Sequence, residues 1–198
     1  MNASAFIKVD KATFYKFIVN IADNERYEFV RGRIVLQPQG GTLGHANLAR
    51  KFARVIERQR SERDWVVLSG SDRGVDTSET IRYPDVVVEP AGAHPESLST
   101  AVPALIVEVL SPSSGDRDLI EKPAEYASIA TLQAYVVASQ TAAECLVWQR
   151  GANGHFPDEP ATIQGFDKTI DIPSLSLSIP LEEVYRGIVS APATEPKS

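Results

Sequence analysis

One cysteine in 198 residues cannot close an internal disulfide. Cys145 therefore points to a reducing compartment and a cytoplasmic protein. No stretch approaches the ~18 consecutive apolar residues of a membrane span, which argues against a membrane partner. The opening run MNASAFIKVDKATFYKF is broken by charge too often to serve as a secretory signal. Phosphate-cradling glycine motifs are missing: neither G-x-x-x-x-G-K-[S/T] nor G-x-G-x-x-G occurs. Gly70-Ser71-Asp72-Arg73-Gly74 lacks the spacing of a nucleophile elbow. The three histidines, His45, His94 and His155, have no zinc-site spacing. Cys145 lies in an apolar run, where a buried structural thiol is expected rather than a nucleophile.

What is present is an ordinary globular composition, 43% hydrophobic and 23% charged. The length fits one domain and can bury a core without a disulfide or metal staple. A net charge of −6 argues against a protein that coats nucleic acid nonspecifically. That average hides an asymmetry. Residues 26–63 carry nine basic side chains and three acidic ones, a charge of +6, and the remainder carries −12. A local basic face is the footprint of a phosphate-binding surface. A solvated helix face explains the same arginines equally well.

Periodicity supplies the elements. Residues 10–22 read as an amphipathic helix capped by Asp10, with Phe14, Phe17, Ile18 and Ile21 on one face. Residues 27–37 alternate as a hairpin about Arg31-Gly32. A glycine-rich turn, Gln39–Thr42, leads to a helix that opens at Thr42 or Gly44 and runs to about residue 60. Leu48, Phe52, Val55 and Ile56 form its apolar face. Strands are expected at Trp65–Ser69, weakly at Gly74–Asp76, at Tyr83–Glu89 and at Ala104–Leu110. The last, ALIVEVL, is apolar enough to be an interior strand covered on both faces. A polar turn, Ser111–Asp118, leads to a short helix near 121–130, and strands follow at 134–138 and 144–149. The pattern weakens from 151 to 180, and Leu181–Ile188 reads as a last helical turn. The tail from 190 to 198 is expected to be disordered. The order predicts one α/β domain over residues 1–189, built on a mixed sheet.

Chemistry concentrates in few positions. Glu108 interrupts the apolar strand, sharing a face with Ile106 and Leu110 while Leu105, Val107 and Val109 share the other. An ionised carboxylate there is costly unless it is paired or binds a metal. Asp85 opens the run Val86-Val87-Val88; alone, Pro84-Asp85 is a common turn dipeptide. Two neighbouring strands that each present a carboxylate can hold a divalent cation. That cation can activate water and neutralise phosphate charge. Lys122, 14 residues beyond Glu108, would add a point charge beside such a site. Pro123 disfavours a helical Lys122, so the helix is expected to start at about Ile120 or Glu121. Glu28 and His45 are further candidates, although a partly exposed helix residue would explain His45.

The set Tyr27-Glu28, Gly32, His45, Pro84-Asp85, Glu108-Val109-Leu110-Ser111-Pro112-Ser113, Asp118, Lys122 and Tyr126 resembles the Uma-two family of restriction-endonuclease-like proteins. That family is placed in the PD-(D/E)XK nuclease superfamily. The resemblance covers roughly residues 10–188, and Glu108 to Tyr126 is its most specific part. It implies a restriction-endonuclease-like core, a central mixed β-sheet flanked by helices. It implies phosphodiester hydrolysis dependent on Mg²⁺ or Mn²⁺, with nucleic acid, DNA foremost, as the partner. Asp85 matches the Asp of the Pro-Asp motif and Glu108 the second acid, so both would be catalytic and hold the metal. The superfamily's usual lysine would fall at Leu110; Lys122 matches the family's replacement on the following helix. Glu28, His45 and Asp118 match recurring positions of the pocket.

On this reading Arg50, Lys51, Arg54 and Arg58 would hold the nucleic-acid backbone. Two rivals share the residues. One is a catalytically inactive relative that binds nucleic acid or protein, with a homodimer left open. The other is a hydrolase of a small phosphate ester, which would lack salt-dependent DNA affinity.

Overall fold

The computed structural model describes residues 8–21, 25–37, 42–111, 115 and 117–189. The glycine-rich turn at Gln39–Gly41, Pro112-Ser113 and the tail from 190 onward lie outside the described residues.

In chain order the elements are α1 (Lys11–Ile18), β1 (Arg26–Val30), β2 (Arg33–Gln37), α2 (Leu43–Glu57), β3 (Trp65–Ser69), β4 (Gly74–Asp76), β5 (Thr80–Arg82), β6 (Val86–Pro90) and β7 (Ser99–Thr100). They continue with β8 (Leu105–Val109), a π turn at Arg117–Glu121, α3 (Lys122–Ala127), β9 (Ala134–Ala138), β10 (Glu144–Gln149), β11 (Ala161–Gln164), β12 (Thr169–Ile172), a 3₁₀ turn at Pro173–Leu175, β13 (Leu177–Pro180) and α4 (Leu181–Tyr185). The fold is mixed α+β.

The larger sheet has the order β11-β10-β9-β8-β6-β3. Only β8 and β9 run parallel; the other neighbours are antiparallel. The second sheet has the order β2-β1-β5-β4-β7, with a parallel pair at β4–β7. A separate hairpin joins β12 to β13.

Every residue of β8 is buried, as its apolar run requires. Its alternation divides the core in two. Leu105, Val107 and Val109 pack with Val86, Val88 and the Leu48, Phe52, Val55 and Ile56 face of α2. Ile106 packs on the opposite side with Val87, Tyr126, Tyr135, Val137 and Trp148. Burying each of these aliphatic side chains contributes roughly 1.5–3 kcal/mol. Glu108, two residues beyond Ile106, therefore enters the second layer. A smaller cluster, Phe14, Phe29 and Ile81, seats α1 on the second sheet.

Local chemistry sets the element ends. The Asp10 side chain accepts from Thr13 N at 2.7 Å and starts α1. Arg31 and Gly32 both have positive φ, 50° and 85°, the conformation of the tight turn that suits a two-residue hairpin. α1 ends at Ile18 rather than near residue 22. β6 begins at Val86 rather than Tyr83, because Pro84 has no N–H for a ladder and Asp85 turns its side chain to a neighbouring strand. Residues 161–180, where the sequence pattern weakens, hold three four-residue strands. β5 and β7 are too short to show a period. Cys145 is buried and free, and burial pushes its thiol up to about 12.

Thr42 caps α2: its hydroxyl oxygen accepts from His45 N at 3.1 Å and donates to Gln140 Oε1 at 2.8 Å. We predict that Thr42→Ala costs about 1 kcal/mol of stability, seen as a melting temperature lower by roughly 2–4 °C. Calorimetric melting at one pH checks this, and an unchanged melting point would contradict the cap.

Candidate active site

Glu108 reaches its partner across the second core layer. Its Oε1 lies 2.5 Å from Lys122 Nζ, and both side chains are buried. Lys122 is the first residue of α3, which the chain enters through the π turn from Arg117 to Glu121. The helical path thus begins some three residues before the expected Ile120. Pro123 stands in the first turn of α3, directly after the π turn, and supplies no N–H to the helix there. Asp118, one turn before Lys122, brings Oδ1 to 2.8 Å from the amine. That oxygen makes no hydrogen bond among the described residues, so the contact is Coulombic.

Asp85 sits one residue before β6. Val86 pairs with Val107, and continuing this antiparallel register by one step brings Asp85 opposite Glu108. Its Oδ2 accepts from Val109 N at 2.8 Å and lies 3.2 Å from His45 Nε2 in the first turn of α2. Ser71 Oγ donates to Oδ1 at 3.4 Å. Two contact groups thus lie near the ends of β6, β8 and α2 and the start of α3: Asp85 with His45, and Lys122 with Glu108 and Asp118, with the Asp85 charge near enough to act on Glu108.

The electrostatics follow from burial and excess acid. Burial holds the Glu108 carboxyl well above its usual range; Lys122 opposes this, and Asp118 and Asp85 add to it. Burial alone would depress the Lys122 amine, but Glu108 foremost, then Tyr126, Asp118 and Glu28, outweighs it and keeps the amine charged. The hydrogen bond to Asp85 raises His45 against a desolvation cost.

Glu28 belongs to an adjoining group. Its Oε2 accepts from Arg82 Nη1 at 2.9 Å, and Arg117 stands 4.0 Å away. Arg82 also binds Glu125 through Nε at 2.9 Å and Nη2 at 2.7 Å. Sequence reasoning missed Arg82 and Glu125. A charged residue in a three-residue strand carries no periodic signal; the i,i+4 spacing of Glu121 and Glu125 was the one local hint.

The basic residues of α2 divide. Arg50 donates to Asn47 Oδ1 at 2.9 Å, Lys51 bonds the carbonyl of Arg186, and Arg58 pairs with Glu183. Arg50, Arg54 and Arg58 are exposed at i, i+4 and i+8, one cationic row along the helix. With Arg186, just beyond α4, Lys51, Arg54 and Arg58 line a groove of about 630 Å³, tempered by Glu57 and Glu183.

Residues 12–182 match the family described as Uma2, putative restriction endonuclease. The chain belongs to the Uma2 family. Two uncharacterized Synechocystis proteins are similar to it. One, sll1609, is 30% identical over 120 residues, which are 59% of this chain and 67% of the relative. The other, slr1290, is 27% identical over 168 residues, 83% and 85% of the two chains. Among solved structures, the Uma2 chain resembles a protein described as a putative nuclease belonging to DUF820 from Anabaena variabilis. The TM-score is 0.69 at 14% identity, covering 86% of this chain and 96% of that one. This likeness shows a nuclease-like fold.

Restriction-endonuclease-like families usually depend on a metal, so the donor set of this Uma2 chain can be tested against one. Among the described residues no three His, Cys, Asp or Glu side chains cage an ion by themselves. Magnesium does not need a cage: it keeps several waters and takes one or two carboxylates together with substrate phosphate. Asp85 and Glu108 are the oxygen donors of this kind near the ends of β6 and β8.

His45 offers a measurement free of activity. Its protonated form is favoured in the folded protein, so its stabilising effect is complete below the ordinary value of 6.5 and is lost as pH rises through the raised folded value. We predict that His45→Gln removes this part of the decline in melting temperature above pH 6.5. Parallel pH profiles for both proteins would contradict the His45–Asp85 pair.

Proposed function

We propose that this Uma2 protein is a nuclease that hydrolyses phosphodiester bonds of nucleic acid, DNA foremost, with Mg²⁺ or Mn²⁺. The observation that supports the reading is the buried contact of Lys122 with Glu108 beside the strand end whose backbone Asp85 binds. Asp85 and Glu108 would hold the ion. When bound, the ion supplies a lowered water pKa and neutralises charge on the phosphate.

The protein's own groups do the rest. Val109 N and His45 Nε2 fix Asp85 Oδ2, and with it the carboxylate's direction. Lys122 remains a cation within reach of Glu108, where it would orient the attacking water or stabilise charge growing on the phosphate. Asp118 holds the amine from its other side. Arg50, Arg54 and Arg58 would follow the nucleic-acid backbone, and Lys51 would line the groove beside them. The contact between Lys122 and Glu108 favours one second reading. The amine occupies a carboxylate oxygen that an ion would use, so an inactive nucleic-acid-binding relative is the rival; calorimetric titration with Mn²⁺ separates the two.

Cleavage of supercoiled plasmid with Mg²⁺ or Mn²⁺ tests the reading. Asp85→Ala, Glu108→Ala and Lys122→Met should each lower the rate by roughly 10²–10³. Wild-type activity in all three would refute the assignment. The cationic row is tested separately by DNA affinity across a salt series. Arg50→Ala, Arg54→Ala and Arg58→Ala combined should flatten the slope of log K against log salt by about 0.9 for each phosphate contact removed. An unchanged slope would remove α2 from the interface.

A further inference from the structure

α3 turns two faces to two different sheets. Asp118, Lys122 and Tyr126, spaced four apart, face β8 and β9, where Lys122 meets Glu108 and Tyr126 packs edge-on against Tyr135 at 5.1 Å. Glu121 and Glu125, also four apart, face β5. There the fully buried Arg82 takes both Glu125 oxygens, Glu28 Oε2 at 2.9 Å and Glu121 Oε2 at 3.3 Å. Glu28 is brought to Arg82 by the β1–β5 register: Phe29 pairs with Ile81, and one further step sets Glu28 opposite Arg82. Thr80 Oγ1 adds a bond to Glu125 Oε2 at 3.2 Å.

The backbone gives this short helix little rotational grip of its own. Pro123 donates no hydrogen bond. The π turn before it breaks the i→i−4 ladder. Six residues of α-helix offer few other bonds. The azimuth of Lys122 therefore depends on side-chain anchors, and the strongest is the planar fork of Arg82, whose five donors match carboxylate geometry.

We propose that Arg82 is a positioning residue: by clamping Glu121 and Glu125 against Glu28 it fixes the rotation of α3, and so the seat of Lys122 on Glu108. This rests on the nuclease reading for its consequence in catalysis, but not for its consequence in structure. Lys122 is set by the second sheet while acting in the first, and loosening the clamp would displace the amine without replacing Asp85, Glu108 or Lys122. A misplacement of about 1 Å is enough to cost as much as ~10²-fold in rate.

Two mild variants test this. Arg82→Lys keeps the buried charge but cannot span three carboxylates, and Glu125→Gln keeps a hydrogen-bonding side chain but breaks the two-point contact. We expect kcat for plasmid cleavage to fall at least about tenfold in both, with KM for DNA unchanged. We also expect faster amide hydrogen exchange at Ala124–Ala127, with wild-type protection in β8 and β9. A residue that merely balances charge would be replaced by lysine without loss, so wild-type kcat in Arg82→Lys would overturn the proposal. So would exchange that is unchanged or raised evenly through the chain. If the wild-type protein cuts no DNA, the nuclease reading fails by itself. The exchange pattern alone then judges the clamp, with selective loosening of α3 supporting it.

Discussion

A carboxylate set into the centre of an apolar sheet is the constraint on which the surrounding architecture depends. Glu108 belongs to a strand whose five residues are all buried. Leaving its charge uncompensated would cost several kcal/mol. Lys122 supplies the nearest compensation, and its own burial creates a second charge that Asp118 helps to satisfy. The π turn and the proline in the first turn of α3 both serve one result, an amine delivered to the buried face of the sheet. The apolar packing of Ile106, Tyr126 and Tyr135 beside it then excludes water and strengthens each charge interaction.

Two charged clusters share α3 but differ in kind. Around Arg82 the carboxylates are bound in a rigid fork, and burial is compensated by directional hydrogen bonds. Around Glu108 the contacts are mixed: Lys122 stands between Glu108 and Asp118, His45 pairs with Asp85, and burial holds the Glu108 carboxyl well above its usual range. The first arrangement is that of a structural brace. The second lies at the ends of the central strands, and its groups are the ones proposed to act in hydrolysis.

The part of this that could be read from sequence followed from periodicity. Glu108 was conspicuous because a charged residue broke a continuous apolar run, and strand alternation assigned its face from Ile106. The α2 core face and the Arg31-Gly32 turn were legible for the same local reason. Asp85 became meaningful only beside Glu108, and the role of Lys122 came from family resemblance rather than from pattern. Pro123 misdirected the expected helix start, since the wide π turn that accommodates it has no simple sequence rule. Arg82 was invisible: β5 has three residues, and its partners lie 43 and 54 positions away. The strands between 161 and 180 were missed because four residues, at one sheet edge or in a separate hairpin, bury at most two side chains each.

By itself, the sequence determined which segments must be buried, which residue types could carry phosphate chemistry, and that one acid lay within the core. Those are consequences of local period and of the cost of transferring charge out of water, and neither depends on distant residues. Tertiary structure alone decided that Asp85 stands opposite Glu108, that His45 turns to Asp85, and that a lysine before a proline points inward. Strand register and the rotation of a short helix are set by contacts between residues far apart in the chain, so no local pattern can encode them.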